Sequence, residues 1–476
     1  MGAYEAVIGL EVHVQLATKS KAFCGCSTKF GQPPNSSTCP VCLGLPGALP
    51  VLNREAYLLA MKSALALNCA IQDTVKFDRK HYYYPDLPKN FQISQYDKPL
   101  AYNGYLEINA PVRKRIDIRR VHLEEDAGKL LHDQDRFHSA VDYNRSGTPL
   151  MEIVTEPVMN TPQEAYEYLT ALKGILLYLG VSDCNMEEGS LRCDANVSVR
   201  KKGESGLGVK SELKNMNSFK AVRLALEYEI KRHTELIMDK KEVVQETRLW
   251  DMDRGITLAM RTKEETHDYR YFPEPDLVPF HTSRGDVEAL KAEIPEFPAD
   301  RRRRFGEDYA LSDKEVCQLT EEKELADYFE DAVRICGEPK AVCNWITGDI
   351  MKALNENKIR ISEYAVTPAM LAELIGLIKS GTVSGKMAKE ILAECGRRGV
   401  TPAVIVDEKG LRQITDSDQL DIVVEQVIVE NEKSVAAYKS GKENALMFLV
   451  GQVMKKTRGK ANPGLVNNML KNKLGS

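Results

Sequence analysis

Residues 7–16 read VIGLEVHVQL, in which Leu10, Val12, Val14 and Leu16 alternate with Glu11, His13 and Gln15. Successive side chains of a strand point to opposite faces, so the spacing predicts a strand with one packing face and one face free to bind. Residues 191–200 alternate more sharply: Leu191, Cys193, Ala195, Val197 and Val199 share one face, and Arg192, Asp194, Asn196, Ser198 and Arg200 the other. The turn KKGESGLG follows, and then Lys210, Glu212 and Lys214 alternate with Val209, Ser211 and Leu213, which predicts a β-hairpin. In RIDIRRVHLEEDAGK the apolar positions change parity between Ile118 and Val121. A bulge there would re-aim Glu124, Glu125 and Asp126; a bare acidic turn is the alternative.

Helical spacing governs other segments. Thr161-Pro162-Gln163-Glu164 reads as a capping box with proline at the first helical position, followed by Leu169, Leu172, Leu176 and Leu179 on one face and Gly180 as the stop. Asn217 or Ser218 caps a second helix, whose apolar stripe is Phe219, Val222, Leu226, Ile230 and Ile237. From about residue 294 nearly every periodic segment is helical, and the change falls at EIPEFPADRRRRF. Arg301 to Arg304 read there as a charged linker surface. A second boundary falls near RRGVTPAVIVDEKGL, residues 397–411. The expectation is an α+β chain with a mixed domain over 1–293, a helical domain over 294–404 and a helical tail over 405–476.

Composition narrows the chemistry. The chain has 476 residues, 43% hydrophobic and 28% charged, an ordinary globular balance. Its formal charge of -4 means that a polyanionic partner has to meet a local basic patch. No apolar stretch approaches the ~18 residues of a membrane span, and the start lacks a basic region followed by a cleavable apolar core, so a cytoplasmic protein is expected. Of eleven cysteines, Cys69, Cys184, Cys193, Cys317, Cys336, Cys343 and Cys395 are scattered singly, which suits reduced thiols. Cys24, Cys26, Cys39 and Cys42 are clustered as two close pairs, spacing that suits a structural tetrahedral Zn²⁺; free thiols or local redox pairs are the alternative.

If the polar faces of the hairpin coincide, Asp194 and Glu212 stand beside Arg192, Lys210 and Lys214. Carboxylates that hold Mg²⁺ next to cations that hold phosphate are what ATP chemistry requires; cross-strand salt bridges on an exposed hairpin are the bland counterpart. No P-loop signature is present.

Several stretches together closely resemble the B subunit of the tRNA-dependent amidotransferases: VIGLEVHVQL, FDRKHYYYPDLPKNFQISQ, HLEEDAGK, DYNRSGTPLMEIVTEP, MEEGSLRCDANVSVR, SELKNMNSF, HDYRYFPEPDL and LVGQVMKKTRGKANPGLVN. The resemblance implies a cradle domain with an antiparallel sheet, related to glutamine synthetase and guanido kinases, then a helical domain and a small YqeY-like tail. It implies ATP-dependent phosphorylation of the side-chain carboxylate of Glu-tRNA(Gln) or Asp-tRNA(Asn). Ammonia from the amidase (A) subunit then displaces phosphate, and a small C subunit joins the two large ones in a heterotrimer. Carried onto this sequence, the catalytic set is Glu11, His13, Glu124, Glu125, Asp194 and Glu212, with Mg²⁺ on Glu11, His13, Glu124 or Glu125, Asp194 and Glu212. Tyr82, Tyr83, Lys89, Asn90, Asn144 and Arg145 match the substrate-facing or ATP-facing segments, alongside Arg192, Lys210 and Lys214. The four clustered cysteines match the zinc-bearing branch of the family.

After Glu443 no acidic residue follows, while Lys455, Lys456, Arg458, Lys460, Lys471 and Lys473 do. In the family this tail recognises tRNA, and such a surface would bind phosphate in a salt-dependent way. Two competing readings are a non-catalytic zinc- and tRNA-binding module and a stand-alone phosphotransferase acting on a free amino acid.

Overall fold

In the computed structural model, which describes residues 3–109, 113–131, 138–262, 269–411, 417–457 and 460–475, the first alternating run becomes strand β1 (Tyr4–Gln15). In chain order the next strands are β2 (Ala70–Ile71), β3 (Thr74–Val75), β4 (Asp78–His81), β5 (Phe91–Ser94), β6 (Ala101–Ile108), β7 (Lys114–Glu125), β8 (Lys129–Leu131) and β9 (Ala140–Asp142). They are followed by β10 (Pro149–Thr155), β11 (Leu191–Lys201), β12 (Ser211–Lys214), β13 (Glu246–Asp251), β14 (Ile256–Thr262), β15 (Arg270–Pro273) and β16 (Phe280–His281).

The principal sheet has the order β14-β13-β12-β11-β1-β10-β7-β6-β2. It departs from a wholly antiparallel sheet at one junction, where β12 and β13 run parallel. The reason is the connection: helix α3 (Phe219–Met238) joins those two strands, and a helical crossover returns the chain in the same direction. The three strands β15-β4-β5 form a separate small sheet.

One face of the principal sheet is sealed by α1 (Arg54–Ala66), α2 (Pro162–Leu179) and α3. Leu10, Val12, Val14, Ala195 and Val197 reach into this core and meet Leu169, Leu172, Leu176, Val222 and Leu226. Removal of this apolar area from water is the main favourable term in the fold. The cap of α2 is Thr161, whose hydroxyl accepts from Glu164 N. The expected capping box is only half formed, because the Glu164 carboxylate turns to the Asn160 N–H and to Lys114. Ser218, not Asn217, caps α3. The parity change in β7 is a bulge: Arg120 pairs with Val154 but Ile118 pairs with Thr155, leaving Arg119 as the extra residue.

The chain divides into two compact units, Met1–Ala299 and Asp300–Ser476. The second has one apolar cluster around Phe305, Phe329, Leu371 and Ile391 and another around Leu420, Leu449, Val453 and Leu470. Arg301 is not part of a linker surface. It is buried and bonded to Asp327 and Glu330, each at 2.5 Å, within the second unit. Among the described residues no helix is long and apolar enough to cross a membrane.

Leu172 is fully buried between α2 and the sheet. Leu172→Ala is expected to destabilise the first unit by about 3 kcal/mol in urea unfolding. A loss under about 1 kcal/mol would mean that this helix does not seal the core as described.

Candidate active site

The sheet face opposite the helices collects the polar residues of five neighbouring strands. Across β1, Glu11 pairs with Asp194 of β11 and Val154 of β10, and His13 pairs with Arg192 and Glu152. Next in line, Glu152 pairs with His122 of β7, and Asn196 of β11 pairs with Glu212 of β12. The hairpin faces therefore coincide, and residues far apart in the chain stand in adjacent rows.

His13, Glu124 and Glu152 are arranged so that one ligand atom from each lies within 4.8 Å of the others. His13 Nε2 is 3.5 Å from Glu152 Oε2 and 4.0 Å from Glu124 Oε1. Behind them His122 Nε2 lies 3.1 Å from Glu152 and 3.4 Å from Glu124. Burial opposes charge on His122, but Glu152 and Glu124 outweigh it and raise its pKa to about 9. The imidazolium in turn helps hold Glu124 and Glu152 below the ordinary carboxylate range despite their burial. Ser94 Oγ also donates to Glu124, at 3.1 Å. Ligand carboxylates oriented by such outer contacts are the usual company of a metal ion.

The remaining acids fit the same chemistry. Glu11 has a raised pKa because it is desolvated and repelled by Glu152, Glu212 and Asp194. A divalent cation among these oxygens and His13 would offset that repulsion, so the donor set suits Mg²⁺. His122 and Glu152 are absent from the sequence-derived set. The available signal was Glu152 itself, a carboxylate inside the otherwise apolar run PLMEIV, and the shared strand parity of His122 with Glu124.

Glu125, expected as a metal ligand, is not in this cluster. It lies at the opposite strand parity, pairs with Lys89 and accepts the Ile93 N–H at 2.8 Å. The parity of β7 thus distinguishes Glu124 from its neighbour.

The cations expected to meet phosphate are largely engaged. Arg192 pairs with Asp126 at 3.0 Å, and Asp126 also accepts from Gln15. Lys214 bonds Asp194 and lies 3.0 Å from Glu212. Burial disfavours its charge, yet these two acids raise its pKa well above the usual lysine range. Lys210 donates to Asn196, which donates to Glu11. Arg145 donates to the carbonyls of Ala127 and Gly128. Asn90 occupies a left-handed turn, φ 60°, and Tyr83 is exposed. Tyr82 is half-buried and packs edge-on against Tyr269.

Asn144 serves a different end from the substrate contact expected of it. It accepts the Ser37 N–H at 2.7 Å and donates to the Pro33 carbonyl at 2.7 Å, bracing the loop between the cysteine pairs. The Sγ atoms of Cys24, Cys26, Cys39 and Cys42 all lie within 4.8 Å of one another. Cys39 and Cys42 are 3.9 Å apart. Zn–S bonds of about 2.3 Å in a tetrahedron give S···S edges of roughly 3.8 Å, so the four thiols fit one zinc ion. Hydrogen bonding with Cys24 lowers Cys42 to about 4 against burial, helped by the Cys39 N–H and the Lys21 ammonium. Lys21 is fully buried, with Nζ 2.7 Å from the Ser37 carbonyl and 3.6 Å from Cys42 Sγ. The same loop is tied to the active-site strands: Ala22 N bonds Gly147 O at 2.8 Å, and Gly147 N bonds Asp126 O at 2.9 Å.

In the tail, Lys455 and Lys456 end the helix Asn444–Lys456, and Lys460 is half-buried; Arg458 lies outside the described residues. The basic stretch is partly neutralised by an earlier helix, since Lys456 pairs with Glu430 and Lys473 with Asp421 and Glu425.

Comparison with known proteins accords with this geometry. The family described as the GatB/GatE catalytic domain matches residues 6–288, and the family described as the GatB domain matches 327–474. A protein of Carboxydothermus hydrogenoformans, named as the B subunit of aspartyl/glutamyl-tRNA(Asn/Gln) amidotransferase, is 56% identical, with 100% of this chain and 99% of the relative covered. Relatives of the same name from Thermoanaerobacter sp. and Brevibacillus brevis are 55% and 52% identical, each covered over at least 99% of both chains. The chain belongs to the GatB/GatE family, among the aspartyl/glutamyl-tRNA(Asn/Gln) amidotransferase B subunits.

Proposed function

We propose that this chain carries out the carboxylate-activating half of tRNA-dependent amidation: ATP-dependent phosphorylation of the side chain of Glu-tRNA(Gln) or Asp-tRNA(Asn), followed by attack of ammonia to give the amide. The observation that carries this reading is the buried cluster of His13, Glu124 and Glu152, extended by Glu11, Asp194 and Glu212 on one sheet face. A carboxylate does not react with ammonia until it has a leaving group, which a phosphoryl group supplies. His13, Glu124 and Glu152 would hold Mg²⁺, which when bound offsets phosphate charge. Lys214 keeps Asp194 and Glu212 in place, and Asp126 fixes the direction of Arg192. The reaction requires no nucleophile from the protein, because ammonia attacks the activated carboxylate.

The name of the relatives, that of one subunit of an enzyme, implies assembly with others. The partners in this reading are the amidase (A) subunit, which releases ammonia, and the small C subunit. The compartment is the cytoplasm, where aminoacyl-tRNA is used. Zn²⁺ on the four cysteines is structural, because no coordination position stays open. It braces the 142–148 segment beside Asp126.

Glu152→Gln is expected to lower ATP hydrolysis stimulated by Glu-tRNA or Asp-tRNA by at least about a hundredfold, leaving tRNA affinity within about twofold. Normal turnover would remove the cluster from the mechanism, and stimulation by free glutamate would point to a stand-alone kinase.

Metal analysis of the purified chain is expected to find about one zinc per chain. The double variant Cys39→Ser, Cys42→Ser is expected to lose that zinc and melt roughly 5 °C or more lower. Full zinc content in the variant would place the ion elsewhere.

For the tail, neutralising Lys455, Lys456 and Arg458 is expected to weaken tRNA binding and reduce its log–log salt slope by roughly two to three. An unchanged slope would make the tail a solvated face with no part in tRNA binding.

A further inference from the structure

The cysteine loop encloses a cation of its own. Lys21 is fully buried, and among the described residues no carboxylate forms an ion pair with it. An ammonium has three donors, and the acceptors around that of Lys21 are the Ser37 carbonyl at 2.7 Å, the Tyr143 carbonyl at 3.4 Å and Cys42 Sγ at 3.6 Å. The two carbonyls are neutral, and the remaining acceptor is a sulfur of the cluster. Taking an ammonium out of water is costly unless negative charge faces it, so the sulfur is the partner that decides its stability.

The enclosure is built around that contact. Gly147 has a left-handed backbone, φ 83°, and a Cβ there would lie 3.3 Å from Cys42 Cβ and 3.4 Å from Lys21 Cδ. Any side chain at 147 would press on both the cysteine and the lysine stem. Glu125, which approaches the same glycine, is paired with Lys89. The Lys21 N–H bonds the Cys26 carbonyl at 3.0 Å. Lys21 is thus held by cluster residues at both ends, its amide at Cys26 and its ammonium at Cys42.

Four thiolates around one Zn²⁺ carry two more negative charges than the ion offsets. In a site shielded from water that surplus is unfavourable unless positive charge lies close by. Lys21 supplies it at hydrogen-bond distance from a ligand sulfur. We infer that Lys21 is the counter-cation of the zinc–thiolate cluster, so that the buried ammonium and the metal-loaded cysteines stabilise each other. The inference rests on the four-cysteine zinc reading above and adds to it a residue that contributes no ligand atom.

The test is a cycle of two changes in the full chain, Lys21→Met and the double variant Cys39→Ser, Cys42→Ser. Methionine keeps an unbranched apolar stem and removes the charge. Zinc affinity is read by competition with a chromogenic chelator, thermal melting is followed for each member of the cycle, and Lys29→Met, at an exposed lysine of the same loop, is the control. Lys21→Met is expected to weaken zinc binding about tenfold or more and to lower melting of the zinc-loaded chain by roughly 2 °C or more, whereas Lys29→Met stays within about twofold in affinity. In the cysteine double variant, Lys21→Met is expected to leave melting within about 1 °C or to raise it, because no thiolate cluster remains to face the charge. A zinc affinity of Lys21→Met within about twofold of the parent chain, or an equal drop in melting with and without the cysteines, would overturn the inference and make the lysine a packing element. A parent chain that holds no zinc would overturn the four-cysteine reading together with it.

Discussion

A strand sealed on one side has only the other on which to display charge, and this constraint sets the chemistry of the first unit. The residues of β1 facing the helices are Leu10, Val12 and Val14, so Glu11 and His13 emerge on the opposite face between β10 and β11. Glu152, Asp194 and Glu212 arrive there by the same rule from their own strands. Their mutual repulsion is a strain that the apolar core sustains. Partly buried carboxylates at this density attract a divalent cation more strongly than water-exposed ones do.

Positive charge is distributed in tiers around that face. His122 lies inside, between Glu124 and Glu152; Arg192 and Lys214 are held by Asp126 and Asp194 at the flank; burial opposes the charge on Lys80, but Glu124 and Glu152 outweigh it and raise its pKa. The loop that carries the cysteine cluster is linked to this flank through the backbone. Ala22 N–H bonds the Gly147 carbonyl, and Gly147 N–H bonds the carbonyl of Asp126, the residue that holds Arg192. In the proposed function zinc would contribute rigidity and magnesium charge, and the two candidate ligand sets share no residue.

Local patterns in the sequence carried a good deal of this. The period of two in residues 10–16, 191–200 and 209–214 placed Glu11, His13, Asp194 and Glu212 on binding faces, and the parity change between Ile118 and Val121 marked the stretch in which the register shift at Arg119 lies. Pairings made across the sheet were harder to read. Nothing near His122 or Glu152 in sequence says that β7 and β10 will bring them beside His13, because strand register is a long-range outcome. Three successive acids do not reveal which one shares a face with His13, and only the observed register separates Glu124 from Glu125. Asn144 has the composition of a substrate contact but braces a loop. The lysines of the tail lost part of their apparent charge to Asp421, Glu425 and Glu430, which precede them by a helix or more.

In the proposed function His13, Glu124 and Glu152 jointly hold one divalent cation. Manganese(II) substituted for magnesium makes that directly observable, since pulsed electron paramagnetic resonance detects a nitrogen ligand to the ion. The account predicts a ¹⁴N coupling from one imidazole in the parent chain, lost in His13→Gln and retained with weaker manganese affinity in Glu152→Gln. A parent spectrum without nitrogen coupling, or a coupling that survives in His13→Gln, would contradict it.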